Sequence, residues 1–272
     1  MRRLVFFVSD STGITAETLG NALLSQFDDI DFDKVTLPFV SDRALAQAAV
    51  RSIDVSCEVD APRPVVFSTL SNPDLYDIVC TSRALVLDLF KAFLPRLEEE
   101  LQMGSTHATG RYHGLVNRPN YEGRIEAIDF ALSHDDGASV KHYDRADIIL
   151  VGVSRSGKTP TCIYLAMQFA IRAANYPLTN DDLEKGGLPR FLDRFVRRLY
   201  GLTIDPERLR QIRHNRRPDS RYASLAQCRT EVAEVEALFR SRGIPYLDTS
   251  HSSVEEIASR ILQDTGLQRR SF

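Results

Sequence analysis

The chain has 272 residues, with 34 Lys and Arg against 37 Asp and Glu, a formal net charge of -3 and 43% hydrophobic residues. That composition is globular, with room for two ordinary domains; it excludes a disordered chain, and the slight acidity speaks against general nucleic-acid binding while leaving a local basic pocket open. Cys57, Cys80, Cys162 and Cys228 lie far apart and make no metal-binding spacing, the first residues lack a signal-peptide pattern and no apolar run has the length of a membrane span, so a soluble cytoplasmic protein with free thiols is expected.

Residues 4–8 predict a buried strand that ends in the polar run Ser9, Asp10, Ser11, Thr12, Gly13. A helix over about 15–26 follows, with Thr15 as its N-cap and an apolar stripe of Leu19, Leu23 and Phe27. Residues 35–40 read as a second strand, and Asp42 as the cap of a helix over 43–53. Pro64 precedes a third strand at 65–70. After the Asn72-Pro73 turn comes a helix over about 74–82, then another from about 85 that Pro95 bends on its way to 101. Such alternation predicts an α/β unit with a mostly parallel sheet. Ligands of open α/β sheets sit outside the carboxyl ends of the strands. Asp10, Ser11, Thr12 and Gly13 are therefore either a phosphate or carboxylate site or simple helix-capping chemistry.

Periodicity fades over 102–120, which reads as a linker or long functional loop. A helix over 121–132 leads to the polar break His134-Asp135-Asp136-Gly137. A strand at 148–151 runs into a glycine loop, and a helix over 160–173 starts with Pro160 in its first turn. Short apolar groups between loops fill 183–205. Helices are expected over 207–211 and 225–242, the latter closed by Gly243, then a short strand at 244–247. Ser253 and Glu256 make a capping box for a last helix reaching 262. The expected organisation is an N-terminal α/β domain over 1–105, a connecting segment with the HDDG motif over 106–145, and a P-loop kinase-like α/β domain with a parallel sheet over 146–272. No internal repeat is visible.

The clearest chemistry lies in Gly152, Val153, Ser154, Arg155, Ser156, Gly157, Lys158 and Thr159, which meet the pattern G-x-x-x-x-G-K-[ST] between an apolar strand and a helix. Glycines there let backbone N–H groups turn inward around phosphates, and the helix N-terminus adds partial positive charge. Lys158 is expected to reach the terminal phosphates, the Thr159 hydroxyl to hold Mg2+, and Arg155 to add a further cation. A general base is still needed, and His134, Asp135 and Asp136 are the candidates. In an extended loop adjacent carboxylates point to opposite sides. Asp135 is assigned as the base and Asp136 to the metal side or to a structural role; His134 is either a base or the cationic partner of the two carboxylates. Asp10 and Asp129 come next in line. Arg213, Arg216, Arg217 and Arg221, with Pro218 interrupting any helix, form either a mobile anion clamp or a solvated surface.

GVSRSGKTPT followed by YLAMQFAIRAANYPL, the opening VSDSTGITAETLG, HDDG at 134–137, GLTIDPERL at 201–209 and SRYASLAQCRTEVAEVEAL at 220–238 together resemble the regulatory proteins of phosphoenolpyruvate synthase. The resemblance covers nearly the whole chain. A sister family that regulates pyruvate, phosphate dikinase shares the P-loop, the HDDG and the opening motif. What the resemblance implies is a bifunctional enzyme. ADP is the donor for inactivating phosphorylation of a threonine on the histidine-phosphorylated target; inorganic phosphate reverses it and releases pyrophosphate. The family's P-loop falls on Gly152 through Thr159 and its HDDG on His134 through Gly137. Phosphoenolpyruvate synthase is then the protein partner, with neither nucleic acid nor membrane involved, and a homodimer stays open. The alternatives are the same chemistry on the dikinase, a small-metabolite P-loop kinase, and a non-enzymatic nucleotide-sensing adaptor.

Overall fold

Two four-stranded parallel sheets organise the chain. The computed structural model describes residues 2–57, 62–108, 118–184, 187–218 and 220–268, which divide into two units, Met1–Val116 and Asn117–Phe272. The α/β class expected from sequence is the one found. No helix of the described residues is long and apolar enough to cross a membrane.

The first unit runs β1 (Arg2–Ser9), α1 (Ile14–Leu24), β2 (Asp31–Leu37), α2 (Arg43–Val55), β3 (Val65–Thr69), α3 (Pro73–Val79), β4 (Leu85–Asp88) and α4 (Leu94–Leu101). Its sheet order is β2-β1-β3-β4. Alternation along β1 splits the core between two faces: Val5 and Phe7 pack with Ala16 and Leu24 of α1, while Phe6 and Val8 pack with Ala46, Ala49 and Ile53 of α2. Burial on both faces is why residues 5–8 read as one unbroken apolar run. Phe7 stacks on Phe67 of β3 with ring centroids 5.9 Å apart. Gly20 lets α1 lie against these rings, since a Cβ there would press into both.

The second unit runs α5 (Arg118–Ser133), β5 (Ile148–Gly152), α6 (Lys158–Phe169), β6 (Ala173–Pro177), α7 (Asn180–Glu184), α8 (Arg190–Asp193), β7 (Leu199–Thr203), α9 (Pro206–Arg216), α10 (Leu225–Arg242), β8 (Tyr246–Asp248) and α11 (Val254–Thr265). Its sheet order is β6-β5-β7-β8. Along β5, Ile149 and Val151 face a core with Val232, Val235 and Phe239 of α10, while Ile148 and Leu150 face one with Leu165 of α6 and Ile261 of α11. Helix α5 adds Ala127 and Ala131 to the second of these cores.

Several expected elements differ from those found. Residues 85–88 form β4 at the sheet edge rather than the start of a helix, because Leu85 to Asp88 pair with β3. Strand β2 starts earlier than expected, at Asp31, since it too is an edge strand with no fully buried residue and so lacks an apolar signature. Thr15 is not an N-cap: Gly13 occupies that position with φ +84° and no side-chain cap. Helix α6 ends at Phe169, with Ala170 left-handed at its C-cap, and of the residues expected to finish it only Ala173 joins β6. The stretch read as apolar groups between loops contains β7, and α9 continues to Arg216. Asp42 does cap α2, Gly243 closes α10 in the left-handed region, and the Ser253–Glu256 capping box is formed.

Candidate functional site

Strand β5 delivers the chain to Gly152 at its carboxyl end, and α6 begins six residues later. Gly152 has φ +154°, and a Cβ there would collide with the carbonyl oxygen of Leu202 on β7. Arg155 and Gly157 adopt left-handed φ of 78° and 88°, and no side chain caps α6. Its first-turn N–H groups therefore have no side-chain cap, a geometry suited to anions.

Lys158 is only 4% exposed, and its Nζ donates to the carbonyl oxygen of Val153 at 2.8 Å. Burial pushes its ammonium down to about 8, with Asp136 and Asp135 pulling the other way. The Thr159 hydroxyl donates to Asp135 Oδ1 at 2.7 Å, joining the two polar motifs across 24 residues of sequence. Asn175 of β6 organises that junction: its Nδ2 donates to Asp135 Oδ1 at 2.6 Å and its Oδ1 accepts the Asp136 N–H at 2.9 Å. Asp136 is exposed, with left-handed backbone at φ 46°. Its carboxylate accepts no hydrogen bond among the described residues.

His134 is not a partner of these carboxylates. Its Nδ1 lies 2.8 Å from the carbonyl oxygen of Phe130 and its Nε2 lies 2.7 Å from that of Lys141. The ring stacks on Phe130 with centroids 4.0 Å apart. With both nitrogens facing carbonyls, neither is turned to an incoming hydroxyl. Asp129 is exposed on α5, and Asp10 belongs to the first unit, where it accepts the Ser71 N–H at 2.8 Å.

The arginines divide. Arg213 is buried, not part of a mobile clamp: Nη2 donates to Glu231 Oε2 at 2.7 Å and to the Ser154 carbonyl oxygen at 3.2 Å, and Nη1 to the Tyr222 carbonyl oxygen at 3.1 Å. Its guanidinium also sits 4.1 Å from the Tyr222 ring centroid, and the Tyr222 hydroxyl donates to Ser154 Oγ at 3.0 Å. On the other side of the loop, Thr249 Oγ1 bonds the carbonyl oxygens of Ser156 and Thr203 at 3.2 and 3.0 Å. Arg155, Arg216, Arg217 and Arg221 are exposed.

Sequence reasoning missed Asn175, Glu231, Tyr222 and Thr249. Only Asn175 left a trace, as an amide inside an otherwise apolar strand. Among the described residues no group of three or more His, Cys, Asp or Glu is placed to hold a metal ion. The Thr159 hydroxyl and the Asp135 carboxylate still give two oxygen donors at the first turn of α6. That set suits Mg2+, which keeps waters and takes its other ligands from substrate phosphates. Cys162, one turn further along α6, is buried and its thiol is pushed up by that burial, so it offers no nucleophile.

Comparison with known proteins adds an independent line. The profile of a family described as "Kinase/pyrophosphorylase" matches residues 5–262. A Pseudomonas putida (strain W619) protein named "Putative phosphoenolpyruvate synthase regulatory protein" is 53% identical over 270 residues, 99% of each chain. Proteins of the same name from Pseudomonas savastanoi pv. phaseolicola (strain 1448A / Race 6) and Stutzerimonas stutzeri (strain A1501) are 52% identical with the same coverage.

Proposed function

The chain belongs to the kinase/pyrophosphorylase family, and on that premise we propose that it regulates phosphoenolpyruvate synthase by moving a phosphoryl group on and off a threonine of that enzyme. In the inactivating direction the threonine hydroxyl of the histidine-phosphorylated target attacks the β-phosphorus of ADP, the bond to AMP breaks and AMP leaves. In the activating direction inorganic phosphate attacks the phosphothreonine, and pyrophosphate leaves with the threonine hydroxyl restored. The names of the relatives support the target, and the junction between Thr159 and Asp135 carries the chemistry, because it makes one site of the P-loop and the HDDG motif.

The residues take the following parts. Loop N–H groups from Gly152 to Lys158 and the α6 N-terminus hold the phosphates. Lys158 neutralises charge on the moving phosphoryl group. Thr159 and Asp135 would hold Mg2+, which supplies further neutralisation of phosphate oxygens. Asp135 is thus the metal-side carboxylate, the reverse of the assignment made from sequence, since its Oδ1 is already committed to Thr159 and Asn175. Asp136 takes the proton of the acceptor hydroxyl, its carboxylate being exposed and accepting no hydrogen bond among the described residues. His134 holds the turn that presents both. A phosphate attacker and a threonine attacker use the same cradle, so one site serves both directions.

The test is transfer from β-labelled ADP to histidine-phosphorylated phosphoenolpyruvate synthase, with pyruvate, phosphate dikinase in a parallel arm. Asp136→Asn should keep ADP binding and lose transfer by about 10²-fold. Asp135→Asn should shift the Mg2+ dependence. Normal transfer by a folded Asp136→Asn protein would remove it as the base, and labelling of the dikinase alone would move the target.

A further inference from the structure

A cavity lies in the first unit. It has a volume of about 510 Å³ and opens at the carboxyl ends of β1 and β3, bounded by the β1–α1 loop on one side and by Tyr76, Phe90 and Leu94 on the other. That volume is within the range of small-molecule sites, roughly 300–1,000 Å³. Its place in the fold is specific. In the order β2-β1-β3-β4 the chain leaves β1 toward one edge and β3 continues toward the other, so the crevice between β1 and β3 is the topological switch point. Parallel sheets bind phosphorylated ring ligands at that crevice.

Thr69, at the end of β3, is 3% exposed and lines the cavity. Its hydroxyl makes no hydrogen bond among the described residues, and its oxygen keeps some accessible surface. Across the crevice, α1 has no side-chain cap, so its first-turn N–H groups and the hydroxyls of Ser11, Thr12 and Thr15 line the same wall. The carboxylates on the lining are largely tied to backbone. Asp10 accepts the Ser71 N–H, Asp88 the N–H groups of Phe90 and Lys91, and Glu98 the Ser105 N–H. Asp77 is the exposed one, placed to accept hydroxyls. Opposite the polar wall stand two aromatic rings, with Lys91 Nζ 5.5 Å from the Tyr76 centroid.

We propose that this cavity is a second ligand site, separate from the P-loop, for a phosphorylated ring compound of mononucleotide size. The phosphate sits on the β1–α1 loop and the α1 N-terminus, and bonds the Thr69 hydroxyl. The ring lies against Tyr76 and Phe90. The site is independent of the transfer reaction proposed above.

The experiment uses the full chain carrying Lys158→Ala, which weakens phosphate binding at the P-loop. The probes are riboflavin 5′-phosphate and AMP, each beside its dephosphorylated form, and inorganic phosphate, followed by calorimetry. At least one phosphorylated probe should bind one to one and lose about tenfold or more in affinity when its phosphate is removed. Thr69→Val should weaken that binding by about tenfold. Thr15→Glu, on an exposed position in the first turn of α1, should abolish it by placing a carboxylate beside the phosphate. If Thr69→Val does not fold, Thr12→Ala, also exposed, replaces it. Absence of saturable binding by both phosphorylated probes overturns the proposal. So does binding that is indifferent to Thr15→Glu, and inorganic phosphate binding as tightly as either nucleotide would remove the ring half.

Discussion

The two units share one strand order, with β2-β1-β3-β4 matched by β6-β5-β7-β8, and no sequence repeat. Each places its first strand inside the sheet, and each follows it with a helix that starts after a left-handed glycine, Gly13 at φ 84° or Gly157 at φ 88°, with no side-chain cap. They differ in what surrounds that loop. After β5 the loop carries its own cation, Lys158, and is held from outside by Arg213, Tyr222 and Thr249. After β1 the loop carries hydroxyls and no cation, and opens on a large cavity. Topology thus decides where a ligand can sit, while the loop's own residues decide whether the place grips compact, highly charged groups or a larger body.

The largest expected effect breaks the comparison on the charged side. Lys158→Ala should lower transfer in both directions by about 10²–10³-fold, the range seen when a preorganised charge-stabilising donor is lost. Near-normal rates in both assays would leave the P-loop without its main cation. Next comes the support behind the loop. Glu231→Ala strands the Arg213 guanidinium, whose side chain is fully buried, so urea unfolding should report a loss of about 3 kcal/mol or more. A change under about 1 kcal/mol would mean the pair is replaceable.

The glycines sharpen the comparison. Gly152→Ala meets a backbone oxygen, which cannot give way, whereas Gly13→Ala meets only the Thr36 methyl at 2.9 Å. Unfolding should show Gly152→Ala as the more damaging, with Gly13→Ala costing about 1–2 kcal/mol for its left-handed backbone. The smallest effect is that of pH. Lys158 is charged below about 8 and neutral above it. Pyrophosphate affinity, taken relative to Lys158→Met, should therefore fall as pH rises through about 8, by roughly tenfold between pH 7 and 9. Stability moves the other way. The unfolded lysine keeps its proton up to its ordinary 10.5, so between about 8 and 10.5 the unfolded chain binds more protons and the wild type gains stability relative to Lys158→Met. A flat affinity ratio would show that the ammonium is not held down by burial.

The buried strands β1, β3 and β5 were legible in sequence, because each holds an apolar run closed by glycine or polar residues. Edge strands were not. Asp31–Leu37 is too polar to stand out, and the short apolar group at 85–88 has no period that separates strand from helix. Strand β7 was hidden by Gly201, which is needed there because a side chain would press into Phe239 and Tyr246. At the site, the P-loop was readable because its residues are contiguous. The parts that the two HDDG carboxylates take in our proposal were not, since they rest on Asn175, a residue 40 positions from Asp135 on β6, a strand the apolar pattern does not announce. Arg213 misled for the same reason: its arginine-rich neighbourhood suggests solvent, and only the fold brings Glu231 and Ser154 to it.

The outer hold on the P-loop bears on which ligands the site can recognise. Arg213 and Thr249 anchor the Ser154 and Ser156 carbonyl oxygens, and Tyr222 the Ser154 hydroxyl, so the loop's shape is set by folding rather than by whatever enters it. A nucleotide brings a base and ribose that could help order a loose loop. Phosphate and pyrophosphate bring a handful of atoms and no apolar surface. An enzyme that must admit these small inorganic ions as reactants needs a receptor already in shape, because such ions make too few contacts to offset the entropy of ordering six residues. The phosphorolysis we propose would then depend on side chains that touch neither substrate.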